Sequence, residues 1–145
     1  MSPPITQTAQ RVQLTPSPVA RLVAAPRRPP RFGLLGHLHR MLTASQAAAR
    51  INAASVPLLP GAAELARAGF ISGGTRANTE RMRGFAAVDP AVPAEIAVLL
   101  HDAQTSGGLL LAAPPAAASA LLDALLAQGL PAALIGDIVA GESGH

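Results

Sequence analysis

His101-Asp102-Ala103-Gln104-Thr105-Ser106-Gly107-Gly108-Leu109-Leu110-Leu111 is the stretch on which the reading of this chain turns. A polar turn carrying Thr105, Ser106, Gly107 and Gly108 runs directly into apolar residues. Leu109 to Ala113 is short and stops at Pro114-Pro115, which predicts a buried strand. Gly107 and Gly108 lack a Cβ, so the backbone there can take a positive φ or admit a close neighbour. A turn of this kind can aim successive N–H groups at an anion. The residues alone leave two readings open: a tight turn before a core strand, or a cradle for a bound anion.

Downstream, Pro114–Gln128 carries Ala118, Leu121, Leu122, Leu125 and Leu126 at helical spacing, with Gly129 placed to end the helix. Ala132–Ala140 predicts a last strand, with Gly136 marking a bulge. Upstream, Leu34, Leu35, Leu38, Met41 and Leu42 form one apolar stripe, so Phe32–Ala44 predicts a helix. Gly33 and Gly36 lie at its start, where free N–H groups and the helix dipole favour an anion. His37 and His39 are two residues apart and share no helix face, which makes them poor partners for a metal. Ala48–Ala54 predicts a short strand and Ala62–Ala68 a helix ending at Gly69. Thr75 is placed to cap a helix running toward Met82, and Ala94–His101 predicts a short helix. Gly73 and Gly74 can admit a phosphate whose oxygens Arg76 and Asn78 would bond, or the segment is a capped helix with solvated arginines. Asp102 caps backbone N–H groups or helps hold a cation.

Composition narrows the chemistry. The 145 residues suffice for one core, built from Ala, Leu, Val and Ile because aromatics make up 2%. The absence of Cys excludes disulfides, thiolate metal sites and Cys nucleophiles. The absence of Lys excludes a P-loop or Schiff-base lysine. Before Glu64 there are seven Arg and no acid; from Glu64 on there are eight acids and four Arg, so the two parts carry +7 and −4. With no aromatics to stack bases, this basic arm reads as a solvated tail, and no nucleic acid is expected. Residues 1–30 contain Pro3, Pro4, Pro16, Pro18, Pro26, Pro29 and Pro30, a density that argues against a continuous helix or a central strand. The chain therefore divides into a disordered or extended arm over 1–31 and a folded domain over 32–145. Pro114, Pro115, Asp123 and Pro131 interrupt the apolar stretch from Leu109 to Ile135, so no membrane span is expected. With no hydrophobic signal-peptide core either, a cytoplasmic protein is expected. Strands separated by helices indicate an α/β layered fold with a small mixed sheet packed by helices.

Several of these segments, in order, resemble one family. DAQTSGGLLLA, FGLLGHL, the PLLPGA turn, GGTRAN and ALIGDIVAG are similar to the C-terminal domain of the selenide, water dikinase (selenophosphate synthetase) family. That family belongs to the superfamily of aminoimidazole ribonucleotide synthetase. The resemblance covers Phe32 to about Gly141 and implies a PurM-like C-terminal domain beside an N-terminal domain. In the family, the N-terminal domain carries the glycine-rich loop, the reactive Cys or selenocysteine, a catalytic Lys and most Mg-binding aspartates. The resemblance implies ATP and Mg as ligands of the complete enzyme. It implies nucleotide- or phosphate-facing roles for Gly33, Gly36, Gly73, Gly74, Thr75, Arg76, Asn78, Asp102, Thr105, Ser106, Gly107 and Gly108. One departure stands out: the family's Asp before the FGLLGH segment falls at Arg28, and a guanidinium cannot ligate Mg. No catalytic or metal-binding residue is therefore expected in this chain, and turnover of ATP by it alone is not expected. Three functional readings follow: the C-terminal part of a selenophosphate-forming enzyme; a non-catalytic nucleotide-binding or interaction domain that self-associates or docks onto a complete catalytic domain; or a truncated or frameshifted fragment, prompted by the abrupt change at Phe32.

Overall fold

A computed structural model describes residues 20–26, 32–104 and 108–139. The strands are β1 (Arg21–Pro26), β2 (Ala48–Ile51), β3 (Gly108–Ala113) and β4 (Ala133–Val139). The helices are α1 (Gly33–Ser45), α2 (Ala62–Arg67), α3 (Gly73–Arg81), α4 (Ala94–Leu99) and α5 (Pro115–Ala127), with a 3-10 turn at Ala53–Ser55. The strands form a four-stranded sheet in the order β2-β4-β1-β3, with every pairing antiparallel. The layered α/β class expected from the sequence is the architecture found, with a wholly antiparallel sheet where a mixed one was expected.

The α1 stripe places Leu38 and Leu42 on the sheet, where they join Leu22, Ala47, Ala49, Ile51, Ile135 and Ile138 in one core. Gln46 ends α1 in the left-handed region, and its N–H returns to the Leu42 and Thr43 carbonyls. Neighbouring strand residues face opposite ways, so Val23, fully buried next to Leu22, belongs to the other face. On that face α5 packs against β1 and β4. A second cluster of Leu35, Ala53, Met82 and Leu100 links the far side of α1 to α3 and α4. The sheet core and this satellite cluster share α1, which makes that helix the hinge of the packing.

Gly136 stands at the irregularity expected there. The register of β1 against β4 steps from Leu22–Gly136 to Val23–Leu134, so Ile135 is the additional residue. Gly136 also lies against β2 so closely that a Cβ would sit 2.1 Å from the Arg50 carbonyl oxygen.

Four expectations are corrected. Residues 21–26 of the supposed arm form β1, an interior strand paired on both edges. Proline density over thirty residues concealed the proline-free window between Pro18 and Pro26, which is long enough for a strand; the rest of the arm, 1–19 and 27–31, lies outside the described residues. Strand β3 is not a buried strand: it borders the sheet, and Leu109 is 44% exposed. Its apolar run reflects one partner strand and one covered face rather than two. Leu126, on the α5 stripe, is 49% exposed, because α5 makes its buried contact through Ala118 nearer its start. Finally, α3 begins at Gly73 with Ser72 as the N-cap, and Thr75 sits one turn inside.

Candidate functional site

The segment following α4 is the meeting point of two helix starts. The first turn of α1 reaches it from one side. Gly33 has φ +68, and a Cβ there would lie 2.5 Å from the His101 carbonyl carbon. Only glycine satisfies both the left-handed backbone and the close approach. Leu35 N–H donates to the Leu100 carbonyl at 3.2 Å, tying α1 to the end of α4.

The start of α3 reaches it from the other side. Ser72 Oγ accepts from the Thr75 N–H at 3.1 Å, satisfying a donor that the helix start leaves free. Thr75 is 1% exposed, and its Oγ1 donates to Asp102 Oδ1 at 2.6 Å while accepting from the Ala103 N–H at 3.2 Å. The Ser72 and Thr75 hydroxyls lie 2.8 Å apart. Asn78, 3% exposed, donates from Nδ2 to the His101 carbonyl at 3.1 Å and accepts at Oδ1 from Arg81. A Cβ on Gly74 would lie 2.9 Å from the Ala103 Cβ, so Gly74 lets α3 close onto the loop.

Gly33, Gly74, Thr75, Asn78 and Asp102 are thus gathered around His101–Ala103. Thr75 and Asn78 spend their side chains on the protein itself, which corrects the reading of Asn78 as a group free to bond a phosphate. Gly73 borders open space; the Arg76 N–H donates to the Ser72 carbonyl at 3.2 Å, and its exposed guanidinium makes no hydrogen bond or ion pair among the described residues. Gly36 faces away from the loop, packed under the Phe32 Cβ. Gly108 opens β3 opposite Pro26. Thr105, Ser106 and Gly107, like Arg28, lie outside the described residues.

A cavity of about 200 Å³ opens beside this junction, lined by Phe32, Gly36, His39, Arg40, Asn78, Arg81, Met82 and Phe85. The Arg40 guanidinium lies 4.1 Å from the Phe32 ring centroid and that of Arg81 5.7 Å, both within cation–π range. The His39 and Phe85 rings are 4.5 Å apart. Burial, and then the charge of Arg40, hold His37 and His39 below the ordinary histidine value. Burial alone does the same for His101. The sequence carried no sign of the Arg40–Phe32–Arg81 grouping, because its members belong to α1 and α3 and meet only through the fold. Among the described residues, no three His, Asp or Glu side chains gather as a metal site, and no helix is long and apolar enough to cross a membrane.

Comparison with known proteins gives the family. The chain is 41% identical over 113 residues to the selenide, water dikinase of Myxococcus xanthus, covering 78% of this chain and 32% of that one. It is 44% identical over 109 residues to that of Pelobacter propionicus, covering 74% and 31%, and 36% identical over 114 residues to that of Escherichia coli O139:H28, covering 79% and 32%. The chain therefore spans about a third of the length of the curated relatives it matches. The family model described as AIR synthase related protein, C-terminal domain, matches residues 12–145, a span that takes in β1 as well as the motifs from Phe32 onward. The chain belongs to the family of AIR synthase related C-terminal domains, and within it is similar to selenide, water dikinases.

Proposed function

We propose that this chain is the C-terminal part of a selenide, water dikinase, the enzyme that converts ATP, selenide and water to selenophosphate, AMP and phosphate. The observation that carries this reading is the docking of α1 and α3 around His101–Ala103, which gathers three of the segments that resemble the family into one junction. In this reading Thr75 and Asn78 hold the junction, and Asp102 is oriented by the Thr75 hydroxyl. Gly73 and Arg76 supply an N–H group and a positive charge toward nucleotide phosphates. ATP and Mg are ligands of the complete enzyme. Phosphoryl transfer needs metal-held charge neutralisation, and the described residues bring arginines and backbone donors rather than clustered carboxylates. By itself it does not turn over ATP. The test is phosphate release from ATP and selenide by the purified chain, alone and with a complete relative. Turnover by the chain alone would overturn the division of labour proposed. Thermal-shift titration with ATP and Mg, on wild type and Arg76→Gln, tests nucleotide contact separately.

An interaction role is the second reading, favoured by Leu59, Leu65 and Phe70, which are 75%, 54% and 74% exposed on and beside α2. Sedimentation of the chain alone and mixed with a complete relative tests it; a monomer that stays separate in both runs counts against it.

A further inference from the structure

Around Phe32 the protein has assembled positive charge without a counter-charge among the described residues. Arg40 comes from the middle of α1 and Arg81 from the end of α3, and both guanidiniums sit over or beside one ring. Arg21, Arg67 and Arg83 are each paired with a carboxylate, whereas among the described residues neither Arg40 nor Arg81 is. Both are exposed, so neither is forced into place by burial. Both guanidiniums lie within cation–π range of the same ring, so two like charges share one small area and repel. The cavity they border has a polar edge and an apolar wall of Phe32, Met82 and Phe85. His39 lines it as well, and its buried Nδ1 has no hydrogen-bond partner among the described residues. An oxyanion between the two guanidiniums would neutralise the repulsion, and the planar forks of Arg suit carboxylate and phosphate geometry. The apolar wall suits a small ring or chain attached to that oxyanion.

We propose that this cavity is a binding site for a small organic oxyanion, a phosphate monoester or a carboxylate, with its charged end between Arg40 and Arg81 and its apolar body against Phe32, Met82 and Phe85. The site goes beyond the nucleotide reading: the groups assigned there to phosphate are Gly73 and Arg76, whereas the charge here comes from Arg40 and Arg81.

Calorimetric titration of the whole chain with phenyl phosphate, inorganic phosphate and benzoate tests it. The expected result is saturable binding of phenyl phosphate or benzoate, at least fivefold tighter than inorganic phosphate, because only the organic probes use the apolar wall. Whichever of the two binds more tightly identifies the charged head. Arg40→Gln and Arg81→Gln should each weaken that binding, and the double variant should weaken it at least tenfold. Arg83→Gln, on an exposed arginine beside α3 that is paired with Glu80, should leave it unchanged. Melting curves establish that each variant is folded. No saturable binding of either organic probe to the wild type would overturn the proposal, as would equal affinity in the double variant. Retained ATP stabilisation in the double variant, with loss in Arg76→Gln, would separate this site from the nucleotide reading; failure of the ATP titration alone would leave this site standing.

Discussion

Replacing Thr75 by Val keeps the shape of the side chain and removes one oxygen, so the response isolates the hydrogen bonds at the junction. Oγ1 donates to Asp102 at 2.6 Å, accepts from the Ala103 N–H at 3.2 Å and meets the Ser72 hydroxyl at 2.8 Å. The bond to a carboxylate is of the charge-assisted kind, with a net contribution of about 1.5–3 kcal/mol. Leaving the Ala103 N–H unpaired adds a desolvation penalty of about 1 kcal/mol, the low end for a partly accessible group. The apolar Val methyl recovers part of this by burial, so the net loss expected is roughly 2–4 kcal/mol. For a chain of 145 residues, about 3 °C per kcal/mol converts this to a fall in Tm of roughly 6–12 °C. Urea unfolding read by circular dichroism measures it, with Asp102→Ala and the double variant completing a cycle. A coupling of about 1–2 kcal/mol between the two positions is expected. A Thr75→Val protein within about 0.5 kcal/mol of wild type, or a cycle with no coupling, would refute the argument that this contact fastens α3 to the loop.

Gly136→Ala places a Cβ 2.1 Å from the Arg50 carbonyl oxygen between paired strands, where neither backbone can yield. A loss of about 3 kcal/mol or more in urea unfolding is expected, at the upper end of overpacking costs. Gly33→Ala combines a left-handed φ of +68 with a contact of 2.5 Å to His101; the strain and the clash together give about 2–5 kcal/mol. Gly84→Ala, at φ +87 with no atom within 4 Å, should lose only about 1 kcal/mol and so separates the two terms. Burial holds His37, His39 and His101 below the ordinary value of 6.5, so the unfolded chain takes up protons first. Their contribution is whole above that pH and is lost as pH falls through and below it. His101→Gln should flatten the stability profile in that window. Glu95, held below the carboxylate value of 4.5 by its own backbone N–H and by Arg67, loses its contribution only below that pH, so the two windows are distinct.

Much of the fold is written locally. The leucine stripes of α1 and α5, the strand β4 and the glycine at its irregularity can be read directly, because helical period and chain-breaking residues act over a few positions. The segments that meet at the junction were singled out too, through their resemblance to one family. Their division of labour was not. Thr75 and Asn78 look from the sequence like groups for a ligand, yet both are nearly buried and bonded to the His101–Ala103 loop.

What tertiary structure alone decided are the encounters between distant residues. Strand β1 becomes an interior strand because Arg21 finds Ala113 on one side and Asp137 on the other. Phe32 becomes the floor for two arginines because α1 and α3 converge on the same loop. By itself the sequence determined most of the segments that would be helix or strand, β1 excepted, and which residues would be apolar or charged. The pairing of those segments depends on free energies summed over the whole core, and no single window of the chain contains them.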